Sequence, residues 1–159
     1  MLELHYSLTG WIHLFSSLVA LVLGSWVLIV PKGTRQHRRL GYGYAVSMII
    51  LNSTAFMLYR LFGTFGPFHL AATASVISIT LGLLAAIMKN RIKNWRAIHF
   101  SFMYWSVIGL YAAFFAEIVT RVDAIPISFF WKVTIPTVAT IAIGWAAFIS
   151  RFGTWSKGR

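Results

Sequence analysis

Five long apolar stretches alternate with short polar segments along the chain. Each stretch runs for about 20 residues, which is the length that an α-helix needs to cross the hydrocarbon core of a bilayer. The pattern predicts five transmembrane helices, at about residues 10–30, 40–60, 67–88, 97–118 and 128–149. Because the connections are short, consecutive helices are expected to be antiparallel neighbours. The predicted fold is an all-α up-and-down bundle in a single integral membrane domain, residues 1–159, with a four-helix core and a peripheral fifth helix.

The composition also indicates a protein surrounded by lipid. The chain has 159 residues, of which 58% are hydrophobic and 11% are charged, whereas soluble domains carry about 25% charged residues. It contains no cysteine, which excludes disulfides and thiolate metal sites. The net charge of +11 does not indicate nucleic-acid binding, because the basic residues fall in short clusters between apolar stretches and form no recognition module.

The distribution of basic residues predicts the orientation of the chain in the membrane. Most of them lie in the loop after the first helix, in the loop after the third helix and in the C-terminal tail: Lys32, Arg35, Arg38, Arg39, Lys89, Arg91, Lys93, Arg96, Arg151, Lys157 and Arg159. The other side holds Arg60, Arg121 and Lys132. Lys and Arg accumulate on the cytoplasmic side, so the N-terminus is expected outside and the C-terminus in the cytoplasm. The cytoplasmic loops are expected to attract anionic lipid.

Four histidines fall at two depths of the predicted bundle. His13 and His69 lie near the outer ends of the first and third helices, and His37 and His99 lie near the inner ends of the second and fourth. The helix faces that carry them are small or mildly polar, which is typical of helix–helix contact in lipid. We therefore expect the four imidazoles to point into the protein. The fifth histidine, His5, is expected to be exposed in the N-terminal head.

Two imidazoles at each depth suit the axial ligation of two b-type haems. We predict that His13 and His69 hold an outer haem and that His37 and His99 hold an inner haem, about 20 Å apart by helix rise. Such a protein would carry electrons across the membrane, with a quinone or another redox partner, and whether it is an enzyme stays open. Small residues one turn after two of the ligands, Ser17 and Gly41, would leave room for the ring, and nearby cations would pair with the propionates: Arg35, Arg38, Arg96 and Arg121.

A carboxylate on the fourth helix supports an alternative metal site. Glu117 follows His99 by eighteen residues on the same helix face, and it is predicted at the depth of His13 and His69. Two histidines and one glutamate form a ligand set for a catalytic zinc with an open position, in a hydrolase or a transporter. Glu117 also precedes Arg121 by four residues, a favourable spacing for an ion pair. A third interpretation is a structural membrane protein without a cofactor, in which the polar residues serve helix packing.

Three segments resemble a known family. KGTRQHRRLGYGYAVSM, GPFHLAATAS and HFSFMYWSVIGLYAAFFAE are similar to the bacterial predicted-membrane-protein family called domain of unknown function 2306. The resemblance covers most of residues 10–121. It implies a small multi-pass protein of the bacterial inner membrane, with histidines at the four positions named above, and no particular activity. The placement of these histidines is also loosely similar to that in two-haem transmembrane b cytochromes, which hold one haem near each membrane face.

Overall fold

The structure, a computed structural model, describes residues 7–58 and 63–156, with side chains as far as residue 150. This part of the chain contains five α-helices: α1 Leu8–Ile29, α2 Arg35–Ala55, α3 Pro67–Ile87, α4 Trp95–Thr120 and α5 Phe129–Ser156. The described residues form no strand. The prediction of an all-α fold with five helices is therefore confirmed. His5, Arg60, Lys157 and Arg159 lie outside the described residues, as does the side chain of Arg151.

Polar side chains fix the ends of the first two helices. The Ser7 hydroxyl accepts a hydrogen bond from the Gly10 N–H at the start of α1 (3.2 Å). The Thr34 hydroxyl accepts one from the His37 N–H at the start of α2 (3.1 Å), so Thr34 caps this helix. At the end of α1 the Lys32 ammonium donates to the Leu28 carbonyl (2.7 Å). These bonds satisfy backbone groups that a helix end leaves without partners.

Four of the five helices are long and apolar enough to cross a membrane: Leu8–Ile29, Pro67–Ile87, Trp95–Thr120 and Phe129–Ser150. The helix α2 is more polar, but its polar side chains Ser47, Asn52 and Thr54 are buried. Beyond Arg39, the large residues that α2 exposes are apolar, among them Val46 and Ile49. Polar groups turned toward protein and apolar groups turned outward are what lipid surroundings require. The residue pattern of α2 therefore suits a fifth membrane crossing.

The chain divides into two compact units, Met1–Val76 and Ile77–Arg159, and the division falls within α3. In the first unit α1 packs against α2, and the side chains of Ala20 and Tyr44 are completely buried. The prediction of a single integral membrane domain stays a prediction.

In the second unit α4 packs against α5. The Tyr104 hydroxyl donates to the Gly144 carbonyl (2.7 Å). A Cβ atom added at Gly144 would lie 2.7 Å from the Ile108 side chain, so the absence of a side chain at this position lets the two helices meet closely. The helix α5 is the least buried of the four apolar helices, and it exposes Phe130 and Ile143. It fits the predicted peripheral fifth helix.

Candidate histidine sites

The four predicted site histidines all lie within the first two turns of a helix. His69 is buried, with 3% of its surface exposed, and His13, His37 and His99 are half-buried. An ionisable side chain within a membrane-spanning helix is costly unless a protein group satisfies it. The group that forms a hydrogen bond with each imidazole therefore decides which ring nitrogen carries the proton. Such bonds are described below for His13, His99 and His69.

His13 on α1 bonds to a hydroxyl of α2. Its Nδ1 lies 3.1 Å from the Thr54 Oγ1. The carbonyls of Ile50 and Leu51, on the helix of Thr54 itself, each lie 2.9 Å from the same Oγ1 and can accept its single hydroxyl proton. With that proton directed to one of these carbonyls, the Thr54 oxygen accepts from the His13 Nδ1–H. This assigns the proton of neutral His13 to Nδ1 and leaves a lone pair on Nε2.

His99 on α4 bonds to a backbone carbonyl of α3. Its Nδ1 lies 2.8 Å from the Gly82 oxygen, which can only accept, so the ring again carries its proton on Nδ1. A Cβ atom at Gly82 would lie 2.8 Å from the Met103 sulfur, one turn after His99. The glycine therefore lets α3 come close enough for its carbonyl to reach the imidazole. A histidine that donates its Nδ1–H to a carbonyl presents Nε2 as a metal ligand.

His69 on α3 has the opposite arrangement. The backbone N–H of Gly66 donates to its Nδ1 (3.1 Å), so this nitrogen carries the lone pair. Neutral His69 therefore holds its proton on Nε2. The rings of Phe65 and Phe56 lie beside the imidazole, with centroids at 5.0 Å and 6.4 Å. His69 is thus buried as predicted, but its tautomer differs from that of His13.

His37 occupies the third position of α2, directly after the Thr34 cap. One turn later, a Cβ atom at Gly41 would meet only Val27, at 4.0 Å, so there is room beside this glycine. His37 belongs to the first unit and His99 to the second. The predicted pairing of these two residues stays a prediction.

Glu117, the carboxylate of the predicted zinc site, forms an ion pair with Arg121. The guanidinium of Arg121 donates to the Glu117 Oε1 within α4, and the two side chains are 54% and 40% exposed. Among the described residues, no group of three or more His, Cys, Asp or Glu side chains is placed to hold a metal ion. His13 and His69 belong to the first unit and Glu117 to the second, so the zinc site from these three residues stays a prediction.

The cations predicted to meet haem propionates lie at the helix ends. Arg35, Arg38 and Arg96 are exposed, and the Arg96 guanidinium lies 5.4 Å from the centre of the Trp95 ring. Their proposed role toward propionates stays a prediction, as does that of Arg121.

Sequence reasoning did not find the groups that set the imidazole tautomers. Thr54 and Gly82 belong to other helices than His13 and His99, and no spacing rule connects these pairs. Gly66 precedes His69 by three residues, but histidine is not the Glu or Gln by which such a cap is recognised. One signal was available, because Asn52 and Thr54 are polar residues near the end of a predicted span. Both prove to be buried, and the Asn52 amide donates to the Ser75 hydroxyl on α3 (3.2 Å).

Comparison with known proteins identifies the family. The model of the family described as "Predicted membrane protein (DUF2306)" matches residues 10–152. This is most of the chain, so the protein belongs to that family. No curated protein and no solved structure is significantly similar to it. The chain is accordingly a multi-pass membrane protein in contact with the lipid bilayer.

Proposed function

We propose that this member of the DUF2306 family binds b-type haem through His13 and His99 and carries electrons across a bacterial inner membrane. The observations that support the proposal are the hydrogen bonds of these two residues to Thr54 and to the Gly82 carbonyl. A proton held on Nδ1 by such a neighbour places the imidazole lone pair on Nε2, the nitrogen through which an axial ligand binds iron.

Haem fits the available ligands better than a bare metal ion does. A zinc site takes three or four protein ligands, and the described residues contain no such group. A porphyrin supplies the four equatorial nitrogens itself, so one or two imidazoles complete the coordination. When bound, haem supplies one-electron redox chemistry.

The residues around each imidazole fix its orientation and change the electron density at its Nε2. The Gly82 carbonyl fixes the ring plane of His99 and makes its Nε2 more electron-rich, and the Thr54 hydroxyl does the same for His13. In the predicted topology α1 enters the membrane from outside and α4 enters from the cytoplasm. The two ligands would then lie near opposite membrane surfaces, as transfer across the bilayer requires.

The orientation and partners follow from the charge pattern. Lys89, Arg91, Lys93 and Arg96 are all exposed in the segment that joins α3 to α4. Four cations within eight residues between two apolar helices favour a cytoplasmic location and contact with anionic lipid headgroups. We assign the N-terminus to the outside on this basis. A membrane quinone or a redox protein is the partner class that transmembrane electron transfer requires.

An absorption spectrum of the detergent-solubilised protein tests the proposal. We expect a Soret band in the oxidised protein and sharpened visible bands after reduction, with haem quantified as its pyridine complex. His99→Ala should remove the haem that His99 holds. Met103→Ala is the matched control, because it removes bulk one turn away and leaves the imidazole and its carbonyl partner in place. Protein that shows no Soret band, and takes up no haemin on reconstitution, would refute haem binding.

A further inference from the structure

We infer that His69 closes the N-terminal cap of α3 and is therefore not an axial ligand of a haem. The first part of this inference stands on the hydrogen bonds of His69 alone. The second part rests on the proposed haem function.

The hydrogen bonds around Gly66 have the pattern of a capping box. The Gly66 carbonyl accepts from the backbone N–H groups of His69 (3.0 Å) and Leu70 (3.3 Å), so Gly66 is the residue that precedes the first turn of α3. Its own N–H is bonded by the side chain of His69, the third residue of the helix (3.1 Å). In the usual capping box a Glu or Gln at this third position reaches back to the same N–H. Here an imidazole nitrogen takes the place of the carboxylate or amide oxygen.

The start of α3 depends on this acceptor for two reasons. Gly66 is buried, and a buried backbone N–H without a partner is destabilising, above all in apolar surroundings. Glycine also has no side chain, so it cannot supply the oxygen that Ser, Thr or Asp at this position would offer to the first turn. The imidazole of His69 is thus the side-chain group that accepts the hydrogen bond of the Gly66 N–H at the start of α3.

Capping and iron ligation exclude each other at His69. The cap uses the Nδ1 lone pair and leaves the proton on Nε2. Ligation through Nε2 would move that proton to Nδ1, where it would point at the Gly66 N–H and break the cap.

Two substitutions at residue 69 separate the roles. His69→Gln keeps an acceptor for the Gly66 N–H and removes the imidazole, whereas His69→Leu removes both. We expect the haem-free His69→Gln protein to unfold within about a degree of the wild type and His69→Leu to unfold several degrees lower. Both variants should retain the wild-type haem content per folded protein. His13→Gln is the comparison variant and should lose the outer haem.

Loss of haem in His69→Gln to the extent seen in His13→Gln would overturn the exclusion of His69 as a ligand. Equal destabilisation of His69→Gln and His69→Leu would overturn the cap. If no variant and no wild-type protein binds haem, the proposed function fails, and the unfolding temperatures still decide the cap.

Discussion

The first two turns of α3 and of α4 each carry a histidine, and the two imidazoles hold their proton on different nitrogens. At the start of α4, His99 faces the carbonyl of Gly82, an acceptor. At the start of α3, His69 faces the N–H of Gly66, a donor. In each case the group that decides the tautomer is the backbone of a glycine. The difference in partner leaves neutral His99 with its lone pair on Nε2 and neutral His69 with its proton on Nε2.

This comparison teaches that the position of a histidine in a span does not determine its role. Both residues lie near the start of a helix, and both fit the predicted arrangement of haem ligands at two membrane depths. The partner's donor or acceptor character separates them, because a neutral imidazole has one N–H and one lone pair to distribute. His13 belongs with His99 on this criterion, since its partner Thr54 also accepts.

The largest expected difference between these histidines is in which imidazole nitrogen carries the proton. In haem-free protein labelled with 15N-histidine, neutral His13 and His99 should show a protonated Nδ1, and neutral His69 should show a protonated Nε2. Two-bond correlations between ring protons and nitrogens distinguish the two tautomers, and His→Gln variants assign the signals. If all three residues show the same tautomer, the comparison of α3 with α4 is wrong.

A substitution at Gly82, which contacts α4, should disturb the hydrogen bond of His99 without changing that of His69. A Cβ atom at Gly82 would lie 2.8 Å from the Met103 sulfur and 3.3 Å from the Phe102 Cβ. Gly82→Val should therefore force α3 from α4 at this point, destabilise the protein by about 1–3 kcal/mol and weaken the His99 bond. Thermal unfolding and haem content measure the two effects.

Gly109→Val on α4 is the matched control for Gly82→Val. A Cβ atom at Gly109 meets nothing within 4 Å, and valine has a better helix propensity than glycine. The control should therefore be neutral or slightly stabilising. Equal losses in the two valine variants would mean that helix propensity or expression, and not the close contact, determines the outcome.

The sequence predicted the features that depend on local pattern. The five helices follow from the apolar stretches, the start of α2 follows from Thr34, and Pro67 begins α3 as its fixed backbone angle suits a first helical turn. The small-residue face below His13 is buried at Ala20. These features need only the helical period and the chemistry of a few neighbouring residues.

The features that depend on the rotation of one helix against another were not predictable in this way. The partner of His13 lies 41 residues away, and that of His99 lies 17 residues away, so no local spacing identifies either. On α3, Ala72 is buried whereas Val76 is 40% exposed, although both are apolar residues of one span. A small rotation of α3 changes which residues it presents, and an apolar pattern without a strong polar side does not fix that rotation.

A smaller effect is expected at Thr54, and it tests whether His13 belongs with His99. Thr54→Val keeps the shape of the buried side chain and removes the oxygen that accepts from the His13 Nδ1–H. The buried donor then lacks its acceptor, so stability should fall by about 1 kcal/mol. Haem affinity should fall by about 10–100-fold, the usual cost of losing the group that orients a ligating histidine. Haemin titration of the haem-free protein measures the affinity.

Thr140→Val is the matched control for Thr54→Val. The Thr140 hydroxyl donates only to the Pro136 carbonyl of its own helix (2.7 Å), so its loss removes an equivalent hydroxyl from a membrane helix without touching a histidine. Haem affinity should be unchanged in this variant. Since the Thr54 acceptor is what distinguishes His13 from His69, unchanged affinity in Thr54→Val as well would show that His13 does not act as a ligand oriented by α2, and only His99 would then keep the assigned role.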